Sequence, residues 1–183
     1  MSILRTNQIQ DTGTNVAANI SGGTVTFSNT PNLSTGAMTN APAFEAQLSS
    51  NQTFSDNVAT KVAFDNKIFD TDGKYDASTN YRFTPTVSGK YFVYLLISVN
   101  ANANSELQNM YTMLRKNGVE YKVAHMNFSA NNARFAVATL NAIVTLDSDD
   151  YIEAYVQGAD SSGSPLVQSG VYSTFGAYKL IGV

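Results

Sequence analysis

Residues 91–99 read Tyr-Phe-Val-Tyr-Leu-Leu-Ile-Ser-Val, and no other stretch restricts the fold as strongly. The run is too short to cross a bilayer as a helix, which takes about 20 apolar residues. Its aromatic and β-branched content suits a strand. Side chains along a strand alternate between faces. Tyr91, Val93, Leu95, Ile97 and Val99 therefore point one way, and Phe92, Tyr94 and Leu96 the other. A sandwich strand normally turns a polar face to water. Here both faces are apolar, so the second must also be covered.

The rest of the chain offers little to cover it. Charged residues make up 14% of the sequence, against about 25% in ordinary soluble domains; Asn, Ser, Thr and Ala fill the gap. A second copy of the chain is the expected cover. Tyr94, Leu95 and Leu96 are the candidate contact residues, with Tyr178 and Leu180 from the closing strand.

Strand patterns recur on both sides of this ribbon. Before it come 43–48, 60–69 with Val62, Phe64 and Ile68 on one side, and 81–84. After it come 110–116 and 119–128, joined by Asn117-Gly118, a strong hairpin signal. The longest alternation is 135–146, with Val137, Thr139, Asn141 and Ile143 opposite Ala138, Leu140, Val144 and Leu146. Residues 151–156 and 171–180 complete the series, separated by the loop 158–163. No helix pattern competes. About ten short antiparallel strands with regular turns predict an all-β jelly-roll sandwich over 42–183.

Residues 1–41 differ in kind. Small polar residues dominate, with apolar ones widely spaced and one alternating stretch at 24–27. We read this segment as an arm for attachment and oligomerisation, with Ile3, Ile9, Val25 and Phe27 as its docking residues. No apolar leader opens the chain, so the expected route out of the cell is within a released particle rather than by secretion.

Composition excludes several classes of function. Net charge is −3, and Lys and Arg are scattered rather than gathered in a stripe, so nucleic acid is not an expected partner. No stretch is long enough for membrane insertion by a helix. There is no cysteine for disulfides or thiolate metal sites, and His125 is the single histidine. A catalytic triad has no basis here, and no pair of carboxylates stands out for glycoside chemistry. We expect no enzyme activity and no cofactor. Asp70, Asp72 and Asp76, and Asp147, Asp149 and Asp150, are acidic turns that leave calcium as the one ion to consider, although neither completes a calcium loop.

At this point the order of residues resembles the globular head of complement component 1q, a relative of tumour necrosis factor. Phe64, Asp70, Tyr75, Phe83, Gly89 and Tyr91 follow that pattern. Arg115-Lys116-Asn117-Gly118 is similar to its hairpin, Leu146 through Ile152 to its Leu-x-x-Gly-Asp-x-Val turn, and Ser173 through Tyr178 to its closing strand. There are departures. Val93 and Leu95 stand where the pattern has aromatics, Ser148 or Asp149 replaces the turn Gly, and no Gly-X-Y stalk precedes the head. The resemblance implies a ten-stranded jelly roll forming a tight trimer, with Phe64, Tyr75, Phe83, Tyr91 and Phe175 in its core. The opening, Met1 through Thr14, resembles the N-termini of tail-fibre proteins of bacterial viruses.

These readings converge on one expectation. The chain is a non-enzymatic structural protein of a bacteriophage virion: a homotrimeric tail fibre, spike tip or decoration protein on the particle surface. The arm would hold other virion proteins. The head would show a host-surface glycan or protein the loops that carry Asn102, Asn104, Asn131, Asn132, Asp160 and Ser162. The alternative is a soluble complement-like module recognising glycan or protein. A third class is a glycan-cleaving tail enzyme.

Overall fold

The computed structural model describes residues 8–10, 16–21, 24–27, 40–161 and 163–181. The chain divides into two compact units, Met1–Met38 and Thr39–Val183. In the first, β1 (Gln8–Gln10), β2 (Val16–Ser21) and β3 (Thr24–Phe27) form an antiparallel sheet in that order. The strand expected at 24–27 thus has two companions. Ile9 lies in β1 and Val25 and Phe27 in β3; Ile3 is outside the described residues.

The second unit is a sandwich of two antiparallel sheets. Its first half contains β4 (Ala43–Gln47), β5 (Gln52–Thr53), β6 (Thr60–Lys61), β7 (Asn66–Asp70), β8 (Tyr75–Asp76), β9 (Arg82–Phe83) and β10 (Gly89–Asn100). Its second half contains β11 (Leu107–Lys116), β12 (Val119–Asn127), β13 (Phe135–Leu146), β14 (Ile152–Asp160), β15 (Leu166–Val167) and β16 (Thr174–Lys179). A 3-10 turn, Gly170–Tyr172, precedes β16. One sheet runs β5-β15-β10-β16-β4-β7, with β13 on the other side of β10. The other runs β12-β11-β14-β9-β8, with β6 also paired to β14. The sequential hairpin and the long crossovers give the expected jelly roll. Among the described residues no helix is long and apolar enough to cross a membrane.

The ribbon at 91–99 sits inside its sheet. β10 pairs with β13 from Gly89↔Leu146 to Asn100↔Phe135, and its other edge pairs with β16 and β15. One face of β10 lies in the core between the sheets, where Tyr91, Val93, Leu95, Ile97 and Val99 are all buried. An aromatic cluster anchors the same core. Phe44 stacks on Tyr75 at 4.5 Å and on Phe83 at 4.7 Å, and meets Phe175 edge-on at 5.0 Å. Phe64, Tyr75, Phe83, Tyr91 and Phe175 are all buried, as the family pattern implied. The Tyr75 hydroxyl is satisfied inside the core by donating to the Phe64 carbonyl at 2.9 Å.

Several expectations need correction. Leu95, offered as a contact residue, is 1% exposed and faces the core, because it shares the parity of Val93 and Ile97. Residues 60–69 do not form one strand. β6 pairs with β14 in one sheet and β7 with β4 in the other, so the chain crosses between layers and leaves Val62 and Phe64 buried but Ile68 exposed. The loop expected from 158 begins later, because β14 continues to Asp160 against β11.

Candidate functional site

The outward face of the sheet built on β10 carries the second apolar set. Register places its side chains in rows across the strands. Ile143, Phe92 and Tyr178 form one row; Thr139, Leu96, Thr174 and Gln47 form another. Between them run Asn141, Tyr94, Gly176, Glu45 and Phe69. Phe92 packs against Tyr178 at 5.5 Å and approaches Tyr94 at 6.5 Å.

Gly176 makes the middle row work. A Cβ there would overlap the ring and hydroxyl of Tyr94. Without one, the ring lies across β16 and its hydroxyl donates to Glu45 Oε2 at 2.8 Å on β4. Burial, then the hydrogen bond to the Glu45 carboxylate, pushes the Tyr94 hydroxyl well above the ordinary phenol range. Three strands are thus tied on their outer surface by one side chain. Phe92, Tyr94 and Leu96 are half-buried within the single chain, so the sheet covers part of this face itself.

What remains open on β13 is mixed, with exposed Thr139, Asn141 and Thr145 beside a substantial apolar set. Phe135, Val137 and Ile143 on β13 are 50%, 52% and 56% exposed. The Tyr121 hydroxyl donates to the Ile143 carbonyl at 3.0 Å and holds β12 beside β13. Val119, Tyr121 and Val123 on that strand are exposed as well. Tyr178 and Leu180 are half-buried, and the Leu180 N–H donates to the Lys90 carbonyl at 2.8 Å. The strict alternation of 135–146 marked this outward set in the sequence. Phe135, Val137 and Ile143 lie open on this outward face, whereas Leu95 lies in the core.

The proposed recognition loops meet at one end of the sandwich. The Ala101 N–H donates to Arg134 O, that of Glu106 to Ala133 O, and that of Ser161 to Glu106 O. Asn102 is exposed with a left-handed φ of 64°, and its side chain donates to Ser164 O at 3.0 Å. Asn104 accepts from Arg134 at 3.4 Å. Asn131 is exposed and Asn132 half-buried. Asp160 is corrected: it is the last residue of β14, 4% exposed, and its N–H donates to Asp56 Oδ1 at 2.7 Å. Ser162 lies outside the described residues.

The acidic turns have internal work. Asp70 accepts from the N–H groups of Lys74 and Tyr75 at 2.9 and 3.1 Å. Asp150 accepts from Lys116 Nζ at 2.7 Å, Asp147 N–H at 2.8 Å and Asn117 Nδ2 at 2.6 Å. The Lys116 bond first, then the other two, hold its carboxyl at about 2. Among the described residues no three His, Cys, Asp or Glu side chains group as a metal site would require. His125 stacks flat on Tyr111 at 4.0 Å as a cross-strand pair between β12 and β11.

The sequence pattern of the C1q domain family matches residues 43–180, the span of this sandwich. The chain belongs to the C1q domain family. Its fold is similar to the globular domain of zebrafish complement 1qA protein, at 17% identity and a TM-score of 0.53, over 78% of this chain and 98% of that one. It is also similar to murine APRIL, at 14% identity and a TM-score of 0.54, over 75% and 99% of the two chains. Eiger TNF from S. frugiperda matches at 12% identity and a TM-score of 0.52, over 77% and 93%. No curated protein matches the chain by sequence.

Proposed function

We propose that this C1q domain is a homotrimeric, non-catalytic recognition head on the surface of a bacteriophage particle. The observation that carries the reading is the outward face of the β10 sheet. Phe92, Tyr94, Leu96, Tyr178, Val137 and Ile143 share one continuous surface, flanked by the apolar side chains of β12. Isolated exposed apolar residues are ordinary, but a contiguous set on one sheet face calls for a partner. A closed ring of like subunits covers such faces without leaving one over. Assembly about this face leaves the loop end, with Asn102, Asn104 and Asn131, free to meet a ligand.

Two features support the particle setting: the tail-fibre-like opening of the chain, and a surface poor in charge. Mass spectrometry of purified virions from a lysate that contains the protein provides the test. The chain is expected at a stoichiometry divisible by three per attachment site. Its absence from intact particles, with the soluble protein present in the same lysate, would favour a free recognition module instead.

A further inference from the structure

An open, shallow cavity of about 190 Å³ lies beside the turn after β4, with Leu48, Ala63, Tyr81 and the exposed Asn51 and Asp65 in its wall. Neither the fold nor the assembly face accounts for the way it is built. Tyr81 has a φ of 50°, in the left-handed region that bulky residues seldom take. The turn that leads into it is fixed by hydrogen bonds. The Asp76 carboxylate gathers the N–H groups of Ser78, Thr79 and Asn80 at 3.0 Å each, and Lys61 Nζ donates to Asn80 O at 3.1 Å. A left-handed tyrosine that follows so firmly bonded a turn and lines a cavity points to a role for its side chain.

The polar wall is equally fixed. Gln52 spans the floor, donating to Lys61 O and accepting from Ala63 N–H, both at 2.8 Å. Asn51 Oδ1 accepts from the N–H and hydroxyl of Ser169 at 2.9 and 3.0 Å, which sets its amide plane; among the described residues its NH2 has no partner. Asp65 accepts from the Ser49 N–H at 2.7 Å. Burial raises the Asp65 carboxyl, but the bonds from Ser49 outweigh it and hold the group below the ordinary range. Among the described residues the Tyr81 hydroxyl has no hydrogen-bond partner.

The residues that line the cavity therefore bring one aromatic side chain with a phenol, apolar Leu48 and Ala63, a carboxylate acceptor and an amide donor. A pyranose ring has matching chemistry: C–H faces for the aromatic ring, and hydroxyls that both donate and accept. The volume is below the roughly 300–1,000 Å³ of sites for drug-sized ligands, so it admits a single ring. The Asp65 charge selects against an acidic sugar. We infer that this cavity binds one neutral hexopyranose, such as the terminal residue of a surface glycan. This gives the recognition reading a ligand class, and it rests on that reading only for where the glycan comes from.

Saturation-transfer NMR on the full chain tests it. The probes are methyl α-D-glucopyranoside, methyl β-D-galactopyranoside, methyl α-D-mannopyranoside, methyl N-acetyl-β-D-glucosaminide and glucuronic acid. At least one neutral probe should give a saturable signal. Tyr81→Gly should weaken that binding by about tenfold or more, and its melting temperature should hold or rise, because glycine takes a φ of 50° without strain. Asp65→Asn should weaken it as well. Three results would overturn the inference: no saturable neutral probe, binding by glucuronic acid alone, or affinity unchanged in Tyr81→Gly. Light scattering on the same samples separates the two readings: a trimer that binds no sugar sinks the cavity alone, and a monomer that binds sugar sinks the assembly alone.

Discussion

Gly176→Ala is a small change with a calculable consequence. Gly176 lies in β16 outside the left-handed region, so its backbone accepts alanine. The new Cβ would overlap the Tyr94 ring, which must leave β16 and give up its 2.8 Å bond to Glu45. A hydrogen bond to a charged group contributes about 1.5–3 kcal/mol. Tyr94 is half-buried, so the lower part of that range applies, near 1.5 kcal/mol. Lost ring packing adds to it, for a total of about 2 kcal/mol, or a fall in melting temperature of roughly 4–8 °C for a domain of this size. In a Tyr94→Ala background there is no ring to displace. The same substitution then only restricts the unfolded chain and should stabilise by about 0.4–1 kcal/mol. Urea unfolding of the four proteins at one fixed concentration gives the cycle. An equal loss in both backgrounds would refute the role assigned to Gly176.

Leu95 and Leu96 are neighbours in sequence on opposite faces, and substitutions should separate their effects. Leu95→Ala should cost about 2–5 kcal/mol with the assembly state unchanged, whereas Leu96→Asp should give folded monomers, read by circular dichroism with light scattering. A trimeric, wild-type-like Leu96→Asp would count against the face. Asp150 should impose an acid dependence on stability. Its folded carboxyl sits at about 2 against 3.8 unperturbed, so its contribution is complete above about pH 4 and is lost as pH falls toward 2. Melting curves of wild type and Asp150→Asn should differ at neutral pH and converge near pH 2; parallel curves across that window would contradict the Lys116 and Asn117 bonds.

The two-faced ribbon and the strict alternation of 135–146 were legible because each is long enough for period two to be unambiguous. The Asn117-Gly118 turn was legible from chemistry: both residues take positive φ, at 52° and 78°. Residues 60–69 misled because their alternation is real but changes owner. β6 and β7 belong to different sheets, and a crossing between layers leaves no periodic mark. The two-residue strands β5, β8 and β15 are too short to carry any pattern, whereas β9 falls within the strand read at 81–84. Gly158 suggested a loop, yet it serves close approach: a Cβ there would lie 3.1 Å from Asn109 O in the paired strand. On the assembly face, Tyr94 was visible from parity. Its bond to Glu45 was not, since it needs β10, β16 and β4 side by side. The left-handed backbone of Tyr81 was not legible, because tyrosine as a residue type does not mark that conformation.

Light scattering coupled to size exclusion, at micromolar protein, tests the central claim most directly. A mass three times the 19.7 kDa of the chain is the predicted result, falling to one chain mass in Leu96→Asp. A stable wild-type monomer, with Phe135, Val137 and Ile143 open to solvent, would contradict the account.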